Sequence, residues 1–251
     1  MSTASNALAL VPVEARPEPT SRRLRLAESP PPLPGPADVG RPPRHLEGLH
    51  DDLADRGWVH LPGVGWEGLG DVEATLGAEV LLTTDVRVRP GMALVTSDRA
   101  LDFHTDHHRA DAVAWLCLRQ TSEGGETLLA DGVAALVSLP PAQQERLARL
   151  RLFEHSVFPG DPKTHPVVER VDGRPRLYCS FWFDVPPAPA DEAALEALRA
   201  SVLRHRVASL RLAPGDVLVI DNRRILHART AIVGSRDRHL VRHWLAVPRG
   251  A

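Results

Sequence analysis

Lysine is almost missing from this 251-residue chain: Lys163 is the only one, so nearly all of the 30 basic residues are arginine. That bias is the mark of a GC-rich bacterial genome before it is a functional device. Tyrosine occurs once, and aromatic residues make up only 4%. The two cysteines, Cys117 and Cys179, sit in apolar surroundings, which argues for two buried thiols and against a secreted disulfide framework. A formal net charge of -2 gives no footprint for nucleic acid or for a membrane surface as partner. No apolar run approaches the ~20 residues of a membrane span, and Met1 to Leu10 does not read as a secretory signal. A cytoplasmic bacterial protein is the default setting.

What is present is a soluble globular composition, 43% hydrophobic and 25% charged. Residues 1–43 stand apart: ten of the 23 prolines fall there, clustered in Ser29-Pro30-Pro31-Pro32-Leu33-Pro34-Gly35-Pro36, and no helical or strand period survives. They read as a disordered tail ahead of one folded domain, residues 44–251. Leu46, Leu49, Leu53 and Ala54 recur at helical spacing, with Gly57 as a stop. Trp58 to Leu61 reads as a strand and Trp66 to Leu76 as a second helix. Short apolar strands follow at Val80 to Leu82, Ala93 to Thr96, Ala112 to Leu118, Thr127 to Ala130 and Leu152 to Val157. A hairpin over Val167 to Cys179 turns at Asp172-Gly173. Only Val133 to Leu150 and Asp191 to His205 look helical in this body, the second capped by Asp191. Strands at Val217 to Ile220, Ile225 to Ala228 and Leu240 to Val247 close the chain. Many short strands with a few appended helices predict a mainly β (α+β) fold, a double-stranded β-helix or cupin-like jelly roll.

Within that frame, His104-Thr105-Asp106 offers an imidazole and a carboxylate from one turn, and His227 a second imidazole from far downstream. Two histidines and one carboxylate on one face of a metal suit non-haem Fe(II). Alone, His-x-Asp is explained as well by a helix cap at Asp106 with a surface histidine. His107 and His108 raise zinc as an alternative, but adjacent side chains on an extended segment diverge. Both are expected near the entrance, exposed or touching substrate. The predicted arrangement delivers His104 and Asp106 from one strand's exit and His227 from the facing sheet. Further on, Arg238, Leu240 and Arg242 share one face of a strand. Two arginines facing a barrel interior need anionic partners, and a dicarboxylate would supply them through a bidentate fork. A solvent-facing arginine ladder is the other reading.

The chain resembles the taurine dioxygenase-like Fe(II)/2-oxoglutarate-dependent oxygenases, including the clavaminate synthase-like members, from roughly Trp58 to Pro248. The resemblance rests on FHTDHHRADAVAWLCLRQTSEGGETLLADG and LAPGDVLVIDNRRILHARTAIVGSRDRHLVRHWL. It implies His104, Asp106 and His227 as iron ligands, and Thr127 and Arg238 as partners of the distal carboxylate of 2-oxoglutarate. It makes Arg242 a contact of cosubstrate or of an anionic substrate group. O2 completes the cofactor set. Family members that halogenate lack the carboxylate, so Asp106 implies hydroxylation, or the related desaturation or cyclisation. The implied substrate is small and polar, an amino acid or a derivative in bacterial specialised metabolism. Arg87 to Asp98, His155 to Lys163 and Tyr178 to Asp184 are candidate pocket walls, although Tyr178 and Phe181-Trp182-Phe183 serve equally as core. A homo-oligomer is allowed. The rival class is a cupin-like zinc or manganese enzyme that does not use 2-oxoglutarate, which would leave Thr127 and Arg238 without a task.

Overall fold

The computed structural model describes residues 46–89, 96–153, 157–181 and 187–248. The proline-rich segment 1–43 lies outside them, as do most of the strand expected at Ala93 to Thr96, and His155, Trp182 and Phe183. No helix among the described residues is long and apolar enough to cross a membrane.

Two helices lead in. Helix α1 (Leu49–Arg56) stops at Gly57, whose φ of 77° lets its N–H reach the carbonyl of Leu53. Strand β1 (Trp58–Leu61) and helix α2 (Gly65–Thr75) follow. Then come β2 (Glu79–Arg87), β3 (Leu101–His104), β4 (Ala112–Arg119) and β5 (Thr127–Asp131). The stretch read as one helix from Val133 to Leu150 is two, α3 (Gly132–Val137) and α4 (Pro141–Arg149). Pro140 and Pro141 break it, since neither can donate to the preceding turn. Strands β6 (Arg151–Phe153) and β7 (Thr164–Pro166) pair with each other, as do β8 (Val168–Val171) and β9 (Arg174–Leu177). The β8–β9 hairpin turns where expected, with Asp172 at φ 52° and Gly173 at φ 75°. Helix α5 (Pro189–Arg204) begins earlier than Asp191, with Pro189 in its first turn and Ala188 at the cap; Asp191 pairs with Arg146 instead. Strands β10 (Arg206–Leu210), β11 (Val217–Asp221), β12 (Ile225–Arg229) and β13 (His239–Ala246) complete the chain.

The strands form a five-stranded sheet, β1-β11-β4-β13-β2, and a four-stranded sheet, β10-β5-β12-β3, in antiparallel pairing throughout. The central strands of the larger sheet are buried on both faces, as β4 and β11 show. In β4, Ala112, Ala114 and Leu116 join a cluster with Leu69 and Val72 of α2, while Val113, Trp115 and Cys117 turn to the opposite cluster with Leu129, Ile225 and Trp244. Val217 and Val219 against Leu218 and Ile220 divide β11 the same way. Strands buried twice carry no polar alternation, so they appear in sequence as continuous apolar runs. A third cluster packs α3, α4 and α5 with Phe103, Leu177 and Leu226, and Tyr178 and Phe181 pack on it. That places these two aromatic residues against the core.

Candidate metal centre

His227 on β12 and His104 at the end of β3 are directly paired across neighbouring strands. Both histidines therefore belong to the four-stranded sheet, which corrects the expectation that His227 comes from the facing sheet. Their ring centroids stand 4.1 Å apart. Asp106 lies beyond the end of β3, and one donor atom from each of His104, Asp106 and His227 falls within 4.8 Å of the others. Ligands held at ~2.1 Å on one face of an ion stand about 3 Å apart, so the donors of this set would draw together by up to about 2 Å around a metal.

The turn that carries Asp106 is fixed from two sides. Thr105 points away from the donors: its N–H donates to the Cys179 carbonyl at 2.8 Å and its hydroxyl accepts the Cys179 N–H at 2.9 Å. Asn222, fully buried between β11 and β12, accepts the Asp106 N–H at 2.8 Å and donates to the Ala110 carbonyl at 2.9 Å. The Asp-Asn-Arg stretch was visible in sequence, but not that its asparagine staples the metal turn.

Electrostatics leave the three donors ready for a cation. Burial lowers the pKa of His104, and burial together with neighbouring His104 takes His227 well below its usual range. Both imidazoles are therefore neutral. Nδ1–H of His104 donates to the Asp102 carbonyl at 2.9 Å, which leaves Nε2 with its lone pair. Burial opposes ionisation of Asp106, but the Arg242 charge, with the Trp244 N–H, outweighs it and holds the carboxyl below its ordinary value. One guanidinium nitrogen of Arg242 donates to both Asp106 oxygens, at 2.8 and 3.0 Å, and Trp244 Nε1 donates to Oδ2 at 2.9 Å. A carboxylate offers about four lone-pair positions, so these bonds orient Asp106 without consuming it. The donor set fits a divalent iron.

Beside it, a hollow of about 430 Å³, counting space open to solvent, is lined by His104, His227, Thr127, Arg229, Arg238 and Arg242 among others. Arg238 and Arg242 are buried, which removes the solvent-facing ladder as a reading. The Arg238 guanidinium makes no hydrogen bond or ion pair among the described residues, and its Nε is wholly enclosed. Burial, with the like charge of Arg229 second, pushes its pKa down to about 10. Thr127 and Arg229 are direct cross-strand partners on β5 and β12. The loop before Thr127 needs its glycines: a Cβ on Gly124 would sit 2.0 Å from the Ala231 carbonyl oxygen, and one on Gly125 would crowd Arg238. Arg229 was not singled out from sequence, where abundant arginine hides it. It donates to the carbonyls of Ser97 and Arg99, each at 2.6 Å, tying the approach to β3 to the rim of the hollow.

His107 departs from expectation. It is buried, its Nε2 lies 3.2 Å from the fully buried carboxylate of Asp161, and its ring stacks on Trp244. Asp161 also pairs with Arg109 at 2.7 Å. His107 thus serves as a brace between the metal turn and the β6–β7 connection, because a buried carboxylate waits for it there. His108 is part-exposed and stacks on His165, with ring centroids 4.6 Å apart. The thiols of Cys117 and Cys179 are free, and burial raises their pKa values to about 11 and about 12.

Residues 43–244 match the family described as taurine catabolism dioxygenase TauD, TfdA family. Uridine-5'-phosphate dioxygenase from Amycolatopsis sp is 32% identical over 143 residues, covering 50% of this chain and 52% of that protein. Clavaminate synthase 2 from Streptomyces clavuligerus is 32% identical over 189 residues, covering 66% and 56%. The chain spans about half the length of these curated relatives. Among solved structures, an asparagine oxygenase in complex with Fe(II), hydroxyasparagine and succinate superimposes with a TM-score of 0.66 at 23% identity, covering 80% of this chain and 77% of that one. The non-haem iron oxygenase OrfP, in complex with Fe and α-ketoglutaric acid, gives 0.62 at 19% over 80% and 79%. These likenesses establish the jelly-roll core.

Proposed function

From the premise that this chain belongs to the TauD/TfdA dioxygenase family, we propose that it is an Fe(II)- and 2-oxoglutarate-dependent dioxygenase that hydroxylates a C–H bond of a small amino acid or amino-acid derivative. The observation that carries the reading is the shared hollow: an unpaired, buried Arg238 and Thr127 open onto the same space as His104 and His227. A zinc or manganese enzyme that does not use 2-oxoglutarate would leave Arg238 and Thr127 without a task.

In this reading His104, Asp106 and His227 hold the iron. Arg238 takes the distal carboxylate of 2-oxoglutarate by its planar fork, and the Thr127 hydroxyl donates to the same group. Bound iron supplies oxygen activation, through which 2-oxoglutarate and O2 yield succinate and CO2 while one oxygen atom enters the substrate as hydroxyl. The protein's residues position and exclude water. Trp115 packs edge-on against His227 at 4.9 Å, and Val86, Leu101 and Leu240 wall the hollow with hydrocarbon. Arg242 holds Asp106 and, lining the hollow, can also meet an anionic substrate group. An amino-acid substrate is favoured by the asparagine oxygenase and OrfP folds, whose bound hydroxyasparagine and hydroxyarginine are amino acids. Free thiols at Cys117 and Cys179 accord with a reducing cytoplasm.

The test is succinate formation from 2-oxoglutarate under air with Fe(II) across a panel of amino acids. One or more should stimulate release above the substrate-free rate, and His104→Ala should abolish it. Wild-type turnover by His104→Ala would refute the assignment.

A further inference from the structure

A second hollow opens by the C-terminal end of β13. Arg242, Trp244 and Ala246 alternate along one face of β13. Arg242 lines the first hollow and Ala246 the second, roughly 13 Å further along the strand at ~3.3 Å per residue. The second hollow is walled by His108, Arg109, Asp111, His165, Glu169 and Arg223, with Leu81 and Ala246.

Its charges are unevenly satisfied. Arg109 is committed to Asp161 at 2.7 Å, and Asp111 accepts from Arg176 at 3.4 Å and from the Val247 N–H at 3.2 Å. Among the described residues neither Arg223 nor Glu169 closes an ion pair, although Asp111 first and Glu169 second attract the Arg223 guanidinium from a distance. Arg223 is only 9% exposed, its Nε is buried without a hydrogen bond, and its side chain makes no ion pair among the described residues. Half-buried Glu169 also makes none; its cross-strand partner on β9, Arg176, turns to Asp111 instead. A guanidinium and a carboxylate therefore face one hollow without closing on each other. A buried, unpaired guanidinium is costly, so this arrangement suits a ligand that carries both charges.

We propose that this hollow is a binding site for an α-amino-acid head group, with the ligand carboxylate on Arg223 and its ammonium on Glu169. The planar fork of Arg223 matches a carboxylate in two bonds, and the ammonium meets an acceptor-only partner in Glu169. The stacked rings of His108 and His165 give the carbon between them a flat wall. Neither iron nor 2-oxoglutarate takes part, so the site holds its ligand in metal-free protein and stands apart from the proposed reaction.

Ligand-observed NMR on the full, metal-free chain tests this, with glycine as the smallest probe bearing both charges. Glycine should bind saturably, and acetate and methylamine, each lacking one charge, about tenfold more weakly. Arg223→Gln and Glu169→Gln should each weaken glycine by about tenfold, while Arg238→Gln in the first hollow leaves it unchanged. Glu169 lies on a part-exposed hairpin, so its variant keeps the test valid if Arg223→Gln is poorly folded. The proposal is overturned if glycine does not bind, if acetate matches it, if both variants bind as wild type, or if only Arg238→Gln loses binding.

Discussion

Asn222 and Asp106 are joined through the Asp106 backbone, whose N–H donates to the Asn222 amide oxygen at 2.8 Å inside a fully buried turn. The same amide donates to the Ala110 carbonyl at 2.9 Å, so one side chain sets the path of the segment that presents the carboxylate. Asn222→Ala strands a donor and an acceptor in a dry interior. It should cost about 2–4 kcal/mol of folding stability, read by urea denaturation of metal-free protein. Metal affinity should fall as well, although no ligand is removed. Unchanged stability and affinity would mean that the turn holds itself.

Asp106 and Arg242 form a buried pair at 2.8 Å. Neutralising one partner leaves the other charge uncompensated, so Asp106→Asn should destabilise metal-free protein by about 3–5 kcal/mol. Removing both charges, in Asp106→Asn with Arg242→Gln, should recover part of that loss. A double-mutant cycle measures it, and strictly additive losses would show the pair to be uncoupled.

Two neutral imidazoles and an ionised carboxylate bind a divalent cation without first shedding protons. Fe(II) under anaerobic conditions should therefore stabilise the wild-type chain by about 2.7 kcal/mol at a hundredfold excess over Kd. A chelator should reverse the shift. His227→Ala should show little response to the metal, and a full response would remove His227 from the site.

Much of this centre was legible in sequence. His104, Asp106 and His227 come together, and Thr127, Arg238 and Arg242 line one hollow with the two histidines. Which strands pair was not legible: β12 sits between β5 and β3, and nothing local to either strand records that neighbour. For the same reason Asp161 was missed as the partner of His107, and Trp244 as a donor to Asp106. The break at Pro140-Pro141 and the helix start at Pro189 were written in the chain; apolar periodicity in the flanking residues masked them.

Asp216 organises the turn before β11 and offers a pH test away from the metal. Its carboxylate accepts the N–H groups of Ala213 at 2.9 Å and Gly63 at 3.0 Å, and His60 Nε2 lies 2.9 Å away. Burial opposes ionisation, but these bonds prevail and hold the folded-state pKa below the ordinary 3.8. A depressed carboxylate pKa gives stability that is complete above the unfolded value and is lost as pH falls through the folded one. Asp216→Ala should cost about 2–3 kcal/mol at neutral pH. The difference from wild type should shrink below about pH 4. A difference that stays constant down to that acidity would show that packing, not charge, is at work.

The most direct test of the central claim is equilibrium binding of 2-oxoglutarate to the Fe(II)-loaded protein without oxygen, wild type against Arg238→Gln. The unpaired guanidinium of Arg238 beside His104 and His227 should make wild-type binding tighter by about 100-fold, the loss of one buried charge-assisted contact. Equal affinity in the two proteins, or no binding by wild type, would contradict the account.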